Sequence, residues 1–394
     1  MELIESSQMA VEDLVHMLGR ASIEAVLHLS AQGVAGEKHQ GRKGGETRWH
    51  GTQNGTVCLS DRKLRVRKPR LRRKGGKQGG EIEIPAYEAM NSGGGVGQRM
   101  LEILMRCVST RNYAQVIPEM AQTVGISKSS VSREFIEASE EELRRLCERR
   151  FDEVEFLVIY LDGMAFGDHH VIGALGVDRK KHVLGLVEGA SENAAAATSL
   201  LESLVDRGLN PSRRYLFVID GSKALRSALS RVFGKQNPVQ RCRAHKLRNV
   251  SDKLPKELKD QVRSVMKAAY KLPWQEGMAK LKKQAEWLSV HHPEAAASLL
   301  EGLEETFTIN RLALSPTLRR CLATTNISEN PHSGVRMRTR RVSRWRDGKM
   351  VLRWVASAFA ASEKNFRSIL GYRDLWMLKA ALENQMEDDK GRAA

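Results

Sequence analysis

Apolar and polar positions along the chain recur with two different periods, and each change of period marks an element. Val11, Leu14, Val15, Leu18, Ile23, Val26 and Leu27 repeat at helical spacing, which predicts a helical lead-in over residues 6–33 that Gly33 and Gly36 end. Val57, Leu59, Leu64, Val66, Ile82 and Ile84 alternate with period two instead, as the strands of a small β unit do. After the glycine-rich linker NSGGGVG, Met100, Leu101, Leu104, Met105 and Val108 return to a helical stripe, the ordinary pattern of core. Ala121, Gly125, Ile126 and Val131 then have the spacing of a helix-turn-helix, in which the small Ala lets two helices approach and Ser127 caps the second. A plain helical hairpin has the same pattern.

From Leu157 the stretch LVIYLDGMAFGDHHVIGALGVDRKKHVLGLVEGA predicts three strands, over 157–161, 170–177 and 183–187, joined as an antiparallel meander. An Ala-rich helix follows, with Ser191 as its N-cap and Gly208 as its stop, and leads to the apolar strand of RYLFVIDG. A helix between two strands of one sheet makes the second strand parallel to the first. Asp162 and Asp220 then end neighbouring strands at the same end of the sheet. Either could simply begin a turn. Together they repel unless a cation lies between them, and hard oxygen ligands suit Mg²⁺ or Mn²⁺. Two such ions can activate a nucleophile and stabilise the leaving oxygen of a phosphoryl transfer. A third carboxylate is available in Glu329, set among Asn326, Asn330 and the basic run Arg336, Arg338, Arg340, Arg341 and Arg344. The plain alternative there is an ion-pair partner for arginine.

Charge adds the partner. With 64 Lys and Arg against 47 Asp and Glu, the net +17 favours a polyanion. Nucleic acid precedes acidic membrane because no basic amphipathic segment stands out. Arg65, Arg67 and Arg70 lie in the densest basic run, within the β unit, and suit phosphates. Lys128 and Arg133 of SKSSVSR are placed for DNA by the second helix of the helix-turn-helix. No apolar run approaches the roughly 18 to 20 residues of a membrane span, and the N-terminus lacks the order of a signal peptide, so a cytoplasmic protein without a membrane partner is expected. The five cysteines are scattered with no CxxC, which argues for free thiols in a reducing compartment.

YLDG at Asp162, VIDGSKALRSAL at Asp220, QRCRAHKLRNV from Gln240 and TTNISEN at Glu329, followed by SGVRMRTRRVSRWRDGKMVLRW, resemble the mutator-type DDE transposases of bacterial insertion sequences. The likeness covers nearly the whole chain, and four motifs in order are far more specific than any one. It implies an α/β fold: an RNase H-like core with a mixed five-stranded sheet, interrupted by an all-helical insertion and preceded by a DNA-binding region. The corresponding segments are 1–92 (lead-in and basic β unit), 93–150 (helix-turn-helix), 151–250 and 322–394 (core), and 251–321 (insertion). Helical spacing of Val262, Met266, Met278, Leu281, Leu299 and Leu303 agrees with the insertion.

The resemblance further implies that Asp162, Asp220 and Glu329 bind two Mg²⁺ or Mn²⁺ ions. It also places Cys242 and His245 as a Cys-x-x-His motif on the strand after Asp220. One such pair cannot complete a zinc site; His245 either bonds substrate and orients the metal site or is a satisfied buried histidine. Expected partners are double-stranded DNA, as element ends and target, and a second copy of the chain in a dimer on DNA. Arg336, Arg340 and Arg341 would meet substrate phosphates. Trp274, at a Pro-marked break, is a candidate for stacking on an unpaired base, with packing as its alternative, whereas Trp287 is expected in the core. Ser328 and Pro331 stand where the family has an apolar and a small residue, and Pro331 is expected in the first turn of the Glu329 helix. The alternative functions are an RNase H-like nuclease or resolvase and a catalytically inactive DNA-binding regulator.

Overall fold

The computed structural model describes residues 20–38, 46–59, 62–73, 80–91, 101, 105, 128–189, 193–340 and 342–393, and the chain divides into two compact units at 138/139. In the first unit, helix α1 (residues 20–35) precedes β1 (Thr47–Leu59), β2 (Arg62–Arg73), the short β3 (Glu81–Ile82) and α2 (Pro85–Asn91). The strands form an antiparallel sheet. Ile23, Leu27, Ala31 and Ala35 of α1 pack with Val57, Val66, Leu71 and Ile84. Gly33 does not end α1; nothing lies within 4 Å of a Cβ built there, and the helix runs through it to Gly36, whose φ of +75° breaks it. Residues 106–127, which hold the turn of the expected helix-turn-helix, lie outside the described residues; α3 (Lys128–Glu148) begins just after them.

The second unit is α/β. Its five-stranded sheet has the order β6-β5-β4-β7-β8, built from β4 (Val158–Phe166), β5 (His169–Val177), β6 (Lys181–Glu188), β7 (Leu216–Ile219) and β8 (Val239–Arg241). β4, β5 and β6 form the expected meander, and β4, β7 and β8 are parallel. Between β6 and β7 runs α4 (Ala194–Asp206), and α5 (Lys223–Phe233) links β7 to β8. Ile159, Leu161, Ile172, Ala174, Phe217 and Ile219 point to one face, where Leu200 and Leu204 of α4 and Leu225 and Leu229 of α5 close the core. The N-cap of α4 is Asn193 rather than Ser191, since its carboxamide oxygen accepts from the amides of Ala195 and Ala196 at 3.1 Å.

β4 is longer than the apolar run suggested. Gly163 does not stop it, because the hairpin with β5 supplies backbone partners as far as Phe166. After β8, residues 243–322 contain helices and turns only: α6 (Arg243–Ser251), α7 (Lys256–Ala269), α8 (Trp274–Ser289), α9 (Pro293–Leu300), the short α10 (Thr308–Arg311) and α11 (Pro316–Leu322). Val262, Met266, Leu281, Leu288, Leu299 and Phe307 form their core. Trp287 is not part of it and is 52% exposed: the buried stripe of α8 is Met278, Leu281, Ala285 and Leu288, and Trp287 lies one residue off it. Two helices, α12 (Asn326–Thr339) and α13 (Gly348–Glu363), cover the second face of the sheet, and α14 (Leu375–Ala393) follows. Pro331 falls inside α12, in its second turn, because the helix already starts at Asn326.

Candidate active site

The parallel pairing of β4 with β7 fixes the two aspartates. Leu161 is opposite Ile219, the last pair of that ladder, and the residue after each is an aspartate; neighbouring strands lie about 4.8 Å apart. β7 stops there while β4 continues to Phe166. Leu161 and Ile219 turn into the α4/α5 core, and the alternation of β4 sends Asp162 to the opposite face, where α12 meets it. Asp220 leads into a tight turn: its Oδ1 accepts from the Ser222 amide at 2.9 Å, Gly221 has φ +109°, and the Ser222 hydroxyl caps α5 by accepting from the Leu225 amide.

Asp162 is buried and engaged on both oxygens. Oδ1 accepts from the Gly163 amide at 3.0 Å, and Oδ2 is 3.0 Å from Ser328 Oγ and 3.4 Å from His332 Nδ1. Burial pushes its carboxyl up; the bond and charge of His332, the Ser328 hydroxyl and the charge of His245 outweigh that and hold it below the usual carboxylate range. Both α12 contacts were missed in the sequence, since neither residue is acidic and only the approach of α12 to β4 brings them in.

Cys242 and His245 are not on a strand. β8 ends at Arg241, Cys242 is the N-cap of α6, and His245 lies in its first turn. The Cys242 amide donates to the Ile219 carbonyl at 2.8 Å, and its buried thiol sulfur accepts from the Thr325 amide at 3.3 Å. Cys242 thus ties the strand end that carries Asp220 to the residue that opens the Glu329 helix. The Cys242 thiol, then Asp162 and Asp220, raise the His245 imidazole above its usual range, against the opposing effect of burial.

Glu329 sits in the first turn of α12, one position past Ser328, and is exposed. Its solvent face continues through Ser333, Arg336, Met337 and Arg340, at helical spacing, while Ile327, Ser328, His332 and Val335 form the buried face. Among the described residues no three His, Cys, Asp or Glu side chains converge closely enough to hold a metal. Arg341 and the side chain of Lys128 lie outside the described residues; Arg133, Arg65 and Arg67 are exposed, and Arg70 pairs with Glu81 at 3.0 Å. Trp274 is half-buried against the helical core. A cavity of about 500 Å³ beside the β8 end is lined by Lys223, Arg226, Arg241 and Lys282 with Glu304 and Glu305, and by none of the three carboxylates.

One sequence signature, described as the transposase of the Mutator family, matches residues 2–368. The chain belongs to the Mutator family of transposases. It is 24% identical over 380 residues to the transposase for insertion sequence element ISRM5 of Rhizobium meliloti, covering 93% of this chain and 90% of that relative. It is 25% identical over 260 residues to the transposases for insertion sequence element IS256 in transposon Tn4001 of Staphylococcus aureus and of Enterococcus faecalis. Those matches cover 61% of this chain and 63% of each relative, so less than two thirds of either one is represented. No helix among the described residues is long and apolar enough to cross a membrane.

Proposed function

We propose that this Mutator-family transposase binds the terminal inverted repeats of an insertion sequence, cleaves the phosphodiester there with water, and joins the released 3′-hydroxyl to target DNA. The observation that carries the reading is that Asp162 and Asp220 directly follow the last paired residues of the β4/β7 ladder, with Asp162 in contact with the helix that bears Glu329. The sheet order, with three antiparallel strands and two parallel additions, supports an RNase H-like core, and the purely helical residues 243–322 support the expected insertion.

The donor set suits Mg²⁺ or Mn²⁺: two neighbouring carboxylates, one of them buried and already held below its usual range, repel without a cation. Asp162, Asp220 and Glu329 would hold the ions, which when bound supply an activated water and stabilise the leaving oxygen. The chain's own groups orient the rest. His245, with its charge favoured by both aspartates, stands ready to bond a substrate oxygen. Arg336 and Arg340 follow Glu329 along the exposed face of α12, where they can neutralise phosphates flanking the cut, and Arg341 is assigned the same role. Arg65, Arg67 and Arg70 supply sequence-independent affinity, whereas Lys128 and Arg133 read element ends. For Trp274, contact with the helical core favours packing over base stacking.

Asp162→Asn and Asp220→Asn should each abolish Mg²⁺-dependent cleavage of DNA carrying the element ends and leave DNA affinity near that of the wild type. Cleavage that persists in EDTA overturns the metal-dependent mechanism.

A further inference from the structure

Two side chains of α12 meet Asp162 without being acids or bases that the motif pattern requires. Ser328 Oγ lies 3.0 Å and His332 Nδ1 3.4 Å from the same oxygen, Oδ2. Both residues are buried, one helical turn apart. The Ser328 hydroxyl has a single proton and a second acceptor, the Thr325 carbonyl oxygen at 2.6 Å. Its hydrogen bond to Asp162 is therefore shared. A carboxylate only accepts, so with a proton on Nδ1 His332 is the unshared donor toward Oδ2.

The other side of that imidazole faces Phe359 and Gly173. Nε2 is buried and has no hydrogen-bond partner among the described residues, and the ring centroid lies 6.0 Å from that of Phe359 at 60°. Gly173 is the β5 residue directly across the ladder from Asp162, and a Cβ built on it would stand 3.8 Å from Nε2. The ring thus lies in van der Waals range of the position a Cβ opposite Asp162 would take. For packing alone, leucine or phenylalanine would suit this place without leaving a ring nitrogen unpaired. Among the described residues, the polar contact shown for the imidazole is the Asp162 carboxylate.

We propose that His332 is a positioning residue of the active site, whose Nδ1–H fixes the orientation of the Asp162 carboxylate beside Asp220, with Ser328 as an auxiliary contact. The inference rests on the metal-dependent reading given above. It also gives the departure from the family pattern at Ser328 a physical role, since an apolar residue there could not touch Oδ2. Partners that orient a metal-ligating group commonly contribute about 10- to 100-fold to metal affinity.

The test is equilibrium Mn²⁺ binding to the full chain, read from the electron paramagnetic resonance signal of free Mn²⁺. Affinities are taken on the folded fraction measured by circular dichroism. Asparagine at 332 can place an amide N–H where Nδ1 stands, whereas glutamine reaches instead toward Nε2. His332→Asn is expected to retain close to wild-type affinity, and His332→Gln to bind about 10- to 100-fold more weakly. A role in packing alone predicts the same Mn²⁺ affinity in both, and that result overturns the proposal. Asp162→Asn separates the two levels of the argument. If it loses Mn²⁺ binding while His332→Gln keeps it, only the role of His332 fails; if the wild type shows no Mn²⁺ binding that depends on Asp162, the metal reading fails and this inference with it.

Discussion

Gly302 to alanine is the substitution whose consequence can be worked furthest from the geometry. Gly302 follows α9 with φ +58°, and an added Cβ would stand 2.5 Å from Arg241 Cζ and 2.7 Å from its Nε and Nη2. Arg241 cannot easily yield. Its Nη1 donates to the Glu301 carbonyl at 3.2 Å, its guanidinium lies 3.6 Å from the Glu301 carboxylate and 3.5 Å from that of Glu305, and its other side packs against Gly221. Left-handed strain contributes about 1–2 kcal/mol and overpacking about 1–3 kcal/mol, so the loss is about 2–5 kcal/mol. At about 2–4 °C per kcal/mol for a unit of this size, the melting temperature falls by about 4–20 °C.

The assay is thermal unfolding followed by circular dichroism for the wild type, Gly302→Ala, Arg241→Ala and the double variant. Without the guanidinium only the backbone strain remains, so Gly302→Ala should cost about 1–2 kcal/mol in the Arg241→Ala background, a coupling of about 1–3 kcal/mol. An equal loss in both backgrounds refutes the steric reasoning. The function is exposed to the same change, because a displaced Arg241 presses on Gly221, the residue after Asp220.

Trp287→Ala should change stability by no more than about 0.5 kcal/mol, whereas Trp274→Ala should lower it by about 2 kcal/mol or more; thermal melts in the reverse order contradict the packing described for α8. Burial, and then the charge of Arg241, push the Lys246 ammonium down to about 8 from 10.5, so between these values the folded chain binds fewer protons than the unfolded one and the wild type gains stability as pH rises. Lys246→Met should flatten that rise in denaturant titrations across the window, and an undiminished rise contradicts it. Replacing exposed Arg65 and Arg67 with glutamine should reduce the slope of log affinity against log salt by about 0.9 for each phosphate that these arginines neutralise, and an unchanged slope removes them from the DNA surface.

Much of the core was legible from periodicity. The meander, the parallel return to β7 and the helical run after β8 follow from apolar spacing that tertiary packing reinforces. Breaker residues misled where such packing overrides local preference: the β5 hairpin carries β4 through Gly163, and α1 continues through Gly33. Asn193 was overlooked as a cap because Ser191 has the same preference two positions earlier, and only the bonds formed distinguish them. At the site, the two aspartates were legible because each closes an apolar run. Ser328, His332 and the bond between Cys242 and Thr325 were not, because they depend on how α12 docks against strands more than 80 residues away in sequence. Trp287 shows the limit of approximate phase: one residue off the stripe moves a side chain by about 100° around a helix, enough to take it from core to solvent.

Asp162 and Asp220 each follow the last paired residue of neighbouring strands, whereas Glu329 stands exposed on α12, so the claim that three carboxylates form one catalytic site is tested most directly at Glu329. The measurement is single-turnover cleavage in Mg²⁺ of a labelled duplex carrying the element end, comparing the wild type with Glu329→Gln. The account predicts that Glu329→Gln binds the duplex with wild-type affinity and leaves it uncut. Cleavage by Glu329→Gln at the wild-type rate would contradict it.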